Sequence, residues 1–307
     1  MRIAAMAAGA VGGYFGARLA AAGHDVHFIA RGAHRDAIAK NGLKIESVHG
    51  DLHLPKVNVS DDPAKVGPVD IVLFAVKLWD TETAAAQARP LIGANTRVIT
   101  FQNGVDSVER IGGVIGVGKA VCGIAYIATV IAAPGVIKHT SSFASMRFGH
   151  ADKHDDPVLN AFAKAGKAAG LDIALSPDIE VERWQKFIFL TAMAGATAAL
   201  RSAIGPIVAD PELRGFFRRL MEETCAVGRA RGVAIPAAYV DERMDFVVNK
   251  VEPGMKASMA HDLERGNRLE LDWLNGKVVE LGRALNVPTP AHETVYTALK
   301  LHRMGRS

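Results

Sequence analysis

The opening sixteen residues constrain this chain more than any other stretch: Met1-Arg-Ile-Ala-Ala-Met-Ala-Ala-Gly9-Ala10-Val11-Gly12-Gly13-Tyr-Phe-Gly16. Arg2 to Ala7 is short, apolar and free of turn residues, which suits a buried strand. Gly9 and Gly12 stand where strand gives way to helix. Ala10 to Ala22 is rich in small residues and can lie close against a sheet. A strand, a glycine turn and a helix place unpaired helix N–H groups beside bare backbone, and both the hydrogen bonds and the helix dipole favour a pyrophosphate there. Against the pattern G-x-G-x-x-G the register is Ala7-Ala8-Gly9-Ala10-Val11-Gly12, so Ala7 replaces the first glycine. Gly9 keeps the close phosphate approach and Gly12 the helix packing. Alanine at position 7 predicts a turn of negative φ, or a slightly displaced one.

A chain of 307 residues suggests two domains. The balance of 49% hydrophobic to 22% charged residues is that of a packed globular protein. Net charge is +4 and the basic residues are scattered, without a run of five. That pattern fits mild attraction of small anions, or a surface of no special purpose, and not a nucleic-acid partner. Cys122 and Cys225 stand far apart with no metal-ligand spacing. A disulfide scaffold and a metal site are therefore not expected, and a reducing cytoplasm fits. The N-terminus also reads as a secretory signal, with Leu19-Ala-Ala-Ala22 as cleavage site, but cleavage would remove the first strand and orphan the α/β pattern behind it. No apolar run reaches the ~20 residues that span a bilayer.

The pattern after the first helix alternates strand and helix. Val26 to Ala30, Asp70 to Val76 and Arg97 to Phe101 read as buried strands. His34 to Lys40 and Thr81 to Leu91 read as helices. Leu43 to Glu46 and Leu52 to Val59 form a hairpin excursion around His49-Gly50-Asp51. Repeated β-α-β order implies a parallel sheet with helices on both faces, and right-handed crossovers gather the strand C-termini on one ligand-binding edge. Cys122 to Val130, Val136 to His139 and Ser145 to Phe148 add strands. Pro157 to Ala169 is a helix and Leu171 to Leu175 a last strand. Beyond Ser176-Pro177-Asp178, helical periodicity takes over in Glu180 to Leu200, Pro211 to Arg231, Ala237 to Lys250, Met255 to Glu264 and Glu270 to Leu285, and Pro288-Thr-Pro290 introduces a final helix. The expected fold class is α/β: a Rossmann-type domain over 1–176, then an all-helical domain over 177–307.

The end of the second strand reads the adenosine ribose. An Asp or Glu there holds the 2′-hydroxyl of NAD, whereas this chain has Arg31 within Phe28-Ile-Ala-Arg-Gly32. A guanidinium suits a 2′-phosphate through charge-assisted hydrogen bonds, which points to NADP(H). The alternative is that Arg31 only tops a strand in solvent.

Over almost its whole length the chain resembles the ketopantoate reductases (2-dehydropantoate 2-reductases). The resemblance is carried by Gly9-Ala-Val-Gly-Gly13, Ala30-Arg-Gly32, Ala75-Val-Lys77, Gln102-Asn-Gly104, Trp184-Gln-Lys186-Phe, Ser258-Met-x-x-Asp262 and Glu270-Leu-Asp272-x-x-Asn275-Gly276. It implies a helical domain like that of 6-phosphogluconate dehydrogenase. It also implies NADPH-dependent reduction of a 2-keto acid in a cleft between the domains, the step from ketopantoate to pantoate in pantothenate biosynthesis. The resemblance places the general acid at Lys186, an ammonium that can protonate the carbonyl oxygen and attract its developing charge. Lys186 otherwise reads as one solvated helix lysine, although its segment is apolar, and burial would lower its pKa. The resemblance makes Asn103 a contact to cofactor and substrate, though Asn-Gly is also a turn signal by itself. Lys77 becomes a contact near the nicotinamide or substrate, though a strand-end lysine also reads as plain surface. Ser258 becomes a partner of the substrate carboxylate, Glu270 an acid contacting cofactor or substrate hydroxyl, and Ala128 a backbone contact to cofactor. Gly266-Asn267 should break the helix between Ser258 and Glu270.

The lysine helix departs from the family. Asparagines expected four and eight positions after the lysine, on the same helical face, are Leu190 and Ala194. Both occupy substrate positions, and an apolar wall does not select a polar tail. A related 2-keto acid with a less polar tail is thus the alternative substrate. An NADP-binding regulatory protein without catalysis is the alternative from another class, motivated by Ala7, Leu190 and Ala194. Related enzymes often pair through the helical domain, so a homodimer is a further expectation.

Overall fold

The structure, a computed structural model, describes residues 1–306. The chain forms two compact units. One holds Met1–Gln102 and Asp106–Ile179; the other holds Asn103–Val105 and the residues from Glu180 onward.

The first unit is built on a mixed, mainly parallel sheet. Its strands are β1 (Arg2–Met6), β2 (Asp25–Ile29), β3 (Leu43–Ser47), β4 (Leu52–Leu54), β5 (Asn58–Ser60), β6 (Val69–Phe74), β7 (Ile92–Thr100), β8 (Ala120–Ala133), β9 (Val136–Gly149) and β10 (Asp172–Leu175). They run in the order β4-β3-β9-β8-β7-β6-β1-β2-β5, with β10 beside β9. The helices between them are α1 (Ala10–Ala21), α2 (Gly32–Asn41), α3 (Thr81–Gln87), α4 (Ser107–Ile115) and α5 (Pro157–Ala168). Strand alternation buries both faces. Ile3, Ala5, Ile71 and Leu73 pack with Phe15 and Leu19 of α1 and Phe162 of α5. Ala4, Met6, Val72 and Phe74 pack with Ala84 and Ala85 of α3 and Ile111 of α4. A doubly covered sheet is the arrangement that near-continuous apolar strands demand.

Several elements differ from the sequence expectation for local reasons. Leu52 to Val59 is two strands, because Pro55 has no N–H to carry a ladder onward; β4 pairs with β3 and β5 with β2. Val136 to His139 and Ser145 to Phe148 are one strand, β9, in antiparallel pairing with β8. Ser141 does not interrupt it, since its hydroxyl takes the Ala128 N–H at 2.9 Å and donates to Phe143 O at 2.6 Å. The α4 helix is hidden in the sequence by Gly112-Gly113, which lower helix propensity.

The second unit is helical: α6 (Ile179–Ala199), α7 (Ile204–Ala209), α8 (Pro211–Ala230), α9 (Tyr239–Lys250), α10 (Ser258–Arg265), α11 (Asn275–Leu285) and α12 (Pro290–Leu299). Its core joins Trp184, Phe187 and Ile188 of α6 to Phe217, Leu220 and Met221 of α8 and to Val278 and Val295. Ser258 opens α10, and Gly266 ends it in the left-handed conformation (φ 73°) as the Gly-Asn pair implies. Glu270 to Leu285 is not one helix: 270–274 turns first, with Glu270 O accepting from Leu274 N at 3.0 Å, and α11 starts at Asn275. Cys122 and Cys225 are buried free thiols. Among the described residues no helix is long and apolar enough to cross a membrane.

One buried polar network ties α6 to the last helices. Asn275 Nδ2 donates to Thr191 O at 3.1 Å and to His292 Nδ1 at 3.0 Å. Gly195 makes room for it, since a Cβ there would stand 2.5 Å from Asn275 Nδ2. His292 Nε2 meets Thr224 Oγ1 at 2.8 Å and Leu220 O at 2.9 Å. His292 is fully enclosed, and burial takes its pKa down from 6.5 to about 4. The folded chain therefore holds it neutral where the unfolded chain binds a proton. Its contribution to stability is present above the unfolded pKa of 6.5 and is lost as pH falls toward 4. Thermal unfolding followed by circular dichroism should show a midpoint falling between pH 7 and pH 4.5, with a smaller fall in His292→Gln.

Candidate functional site

The turn after β1 is the sharpest feature of the first unit. Ala7 has φ +59°, the left-handed region, not the negative φ expected of alanine. Neighbouring contacts impose it. Ala8 N donates to Ile29 O at 2.7 Å, pulling the chain across to β2. Gly12 must then pass close, and a Cβ on it would sit 3.0 Å from Ala7 O. Gly9 differs: a Cβ there would come no nearer than 3.9 Å to Ala7 O, so packing does not require this glycine. Helix α1 has no side-chain cap at Gly9, and the first-turn amides of Ala10, Val11 and Gly12 have no intrahelical acceptor. The N-terminal end of α1 thus joins directed N–H groups, a positive dipole end and space beside Gly9, the requirements of an anion site.

The parallel strands end level with this turn. Met6 lies opposite both Ile29 and Phe74, and Phe74 opposite Thr100. The residues that follow these four strands therefore share one edge. Arg31 caps α2 there, exposed, with its guanidinium on the neutral amide of Gln87, so its charge is not cancelled by that partner. Lys77 is exposed on the same edge, its Nζ 5.5 Å over the Trp79 ring. Gln102 braces the edge: Nε2 donates to Val76 O at 3.1 Å and to Thr81 Oγ1 at 2.8 Å, while Oε1 accepts from Thr100 Oγ1 at 3.1 Å. Ala128 lies farther along β8, where the pairing with β9 shifts register between Ile127 and Thr129. Its N–H is committed to Ser141 Oγ.

Asn103, directly after Gln102, goes with the helical unit, whose core Val105 enters. Lys186 is half-buried on α6, between the fully buried Trp184 and Phe187 that fix the helix's rotation. Its helical stripe runs inward. Leu190 is half-buried against the core, and Ala194 is 1% exposed within it. Ser258 is exposed at the first turn of α10, whose start is held to α6 by Ala257 N donating to Thr197 Oγ1 at 3.3 Å. Glu270 is a carboxylate only 8% exposed, in the turn before α11.

Two groups escaped the sequence reading. His34 contacts the glycine turn, with Nε2 3.0 Å from Ala8 O. No motif marks it, and its partners lie 26 and 101 residues away. His150, His154 and Asp156 bring possible metal-ligand atoms within 4.8 Å of one another. The Asp156 carboxylate is already engaged. Oδ2 takes Arg97 Nε at 2.5 Å and His150 Nε2 at 2.9 Å, and Oδ1 caps α5 through Val158 N and Leu159 N. Burial alone would raise its pKa, but these hydrogen bonds bring it down to about 2, as a helix cap held in an ion pair requires.

Residues 3–153 match the family described as Ketopantoate reductase PanE/ApbA, and residues 178–303 match Ketopantoate reductase PanE/ApbA C terminal. The chain is 32% identical to the 2-dehydropantoate 2-reductase of Mesorhizobium japonicum, covering 98% of this chain and 97% of that protein. The crystal structure of 2-dehydropantoate 2-reductase from Geobacter metallireducens superposes with a TM-score of 0.91 at 31% identity, covering 98% of this chain and 99% of that one. A D-mandelate dehydrogenase solved with NADH and anilino(oxo)acetate shares the fold at a TM-score of 0.89 and 19% identity, covering 99% and 98% of the two chains.

The left-handed alanine sets a stability test. An L-residue in this region costs about 1–2 kcal/mol, whereas glycine gives back about 0.4–1 kcal/mol through the freer unfolded chain. Ala7→Gly should therefore stabilise the chain by up to about 1.6 kcal/mol in urea unfolding, and Ala7→Val should destabilise it. A destabilising Ala7→Gly would show that the turn is not strained.

Proposed function

The chain belongs to the ketopantoate reductase family of oxidoreductases, and on that premise we propose that it reduces a small 2-keto acid to the 2-hydroxy acid with NADPH. Ketopantoate is the first substrate to consider, which would place the chain in pantothenate biosynthesis. The observation that carries the reading is the turn at Ala7–Gly12: a glycine whose bareness packing does not explain, at an uncapped helix N-terminus, on the edge where parallel strands end. These residues fit a dinucleotide, with Ala7, Ala8, Gly9, Ala10, Val11 and Gly12 around the pyrophosphate and Arg31 at the adenosine ribose.

The bound nicotinamide supplies the hydride. The chain supplies the rest. Lys186 holds a proton for the carbonyl oxygen and attracts the negative charge that grows on it. Asn103 and Ser258 orient the keto acid, Glu270 holds a hydroxyl of substrate or cofactor, and Lys77 adds positive charge at the strand edge. A second reading is favoured by Leu190: an apolar side chain beside the lysine suits a keto acid with a less polar tail.

NADPH oxidation over a panel of 2-keto acids tests both. Ketopantoate is expected to turn over, and Lys186→Ala to lower kcat by at least ~10²-fold with NADPH binding kept. Turnover confined to less polar keto acids would select the second reading. Tight NADPH binding with no turnover would overturn both and leave a nucleotide-binding regulator. For cofactor choice, wild type should bind NADPH at least ~10-fold more tightly than NADH, and Arg31→Ala should erase the difference, the scale of one charge-assisted contact. Equal wild-type affinities would remove Arg31 from that role.

A further inference from the structure

His34 stands in the first turn of α2 and is half-buried. Its Nδ1 accepts from Gly135 N at 3.1 Å, in the tight turn between β8 and β9. Only an unprotonated ring nitrogen accepts, so the ring's N–H is on Nε2, which donates to Ala8 O at 3.0 Å. Burial lowers the pKa of His34 and so favours the neutral ring that this arrangement uses.

The consequence lies in the next peptide. The Ala8 carbonyl and the Gly9 N–H belong to one planar trans unit and point in opposite directions. A donor that fixes the carbonyl therefore aims the Gly9 N–H the other way, away from the imidazole. The Ala8 N–H is itself fixed on Ile29 O at 2.7 Å, so both sides of Ala8 are tied. Gly135 is anchored in turn, its carbonyl accepting from Lys44 N at 2.9 Å.

We propose that His34 is a positioning residue that orients the Ala8–Gly9 peptide so that the Gly9 N–H faces the pyrophosphate of the bound dinucleotide. This rests on the nicotinamide-dinucleotide reading above. It assigns His34 to the pyrophosphate alone, with no part in holding the adenosine 2′-phosphate.

The test compares NADPH with 2′-AMP, which carries the 2′-phosphate but no pyrophosphate, by titration of wild type, His34→Phe and His34→Gln. Phenylalanine keeps the ring and removes both hydrogen bonds; glutamine keeps an N–H donor for Ala8 O. His34→Phe is expected to raise the NADPH Kd about tenfold, the scale of one oriented hydrogen bond, and to leave the 2′-AMP Kd within about twofold of wild type. His34→Gln is expected to keep the NADPH Kd within about threefold of wild type. An unchanged NADPH Kd in His34→Phe, or an equal loss for both ligands, would overturn the assignment. A wild-type chain that bound no NADPH would overturn the functional reading instead.

Discussion

The left-handed bend at Ala7 is the constraint on which the first unit depends. At φ +59° the chain leaves β1 sharply enough to start α1 at Ala10 and lay it back across the sheet. An extended backbone at this position would carry it straight on. The cost, about 1–2 kcal/mol, is offset by what the bend permits: the Ala8 N–H on Ile29, the bare Gly12 close to Ala7 O, and burial of Phe15 and Leu19 against Ile3 and Phe28. At ~25 cal/mol per Å² of apolar area, burying two such side chains outweighs the strain.

A different kind of constraint sets the second unit. Lys186 has no special backbone; its place is fixed by what its neighbours bury. Trp184, Phe187 and Ile188 share one face of α6 and put it in the core, while Lys186 and Leu190, one turn apart, lie half-buried on another. Deeper along the helix, Asn275 bonds to the Thr191 carbonyl through the space left by Gly195, and His292 holds Asn275 in turn. Slippage or rotation of α6 would leave buried polar groups unpaired, at about 1–3 kcal/mol each. The lysine is thus held by packing on one side and by hydrogen-bond accounting on the other.

This division explains what the sequence made legible. Periodicity and glycine spacing are local, so β1, α1, the strand edge and the long helices could be read directly, and Arg31 followed from its place after β2. The sign of φ at Ala7 could not be read, because propensity gives alanine a right-handed backbone and long-range contacts with Ile29 and Gly12 decide otherwise. His34 was invisible for the same reason: its role exists only once Ala8 and Gly135 meet. The break at Glu270 to Leu274 was masked because Leu271 and Leu274 continue a helical apolar rhythm while the chain turns.

Retained lysine and altered neighbours also separate chemistry from selectivity. Protonating a carbonyl oxygen needs one donor at the reacting centre, whatever the tail of the acid. Choosing the tail needs groups that are penalised when left unpaired. Loss of a hydrogen-bonding wall forfeits discrimination of up to ~10⁵-fold, whereas an apolar wall separates tails by only about 10–200-fold. Ala194 is enclosed in the core, so of the two positions that depart from the family pattern only Leu190 keeps surface. Under the proposed reading, tail selectivity in this chain therefore turns on one leucine and on polar groups from other elements, and the range of acids accepted should be broader than two asparagines would allow.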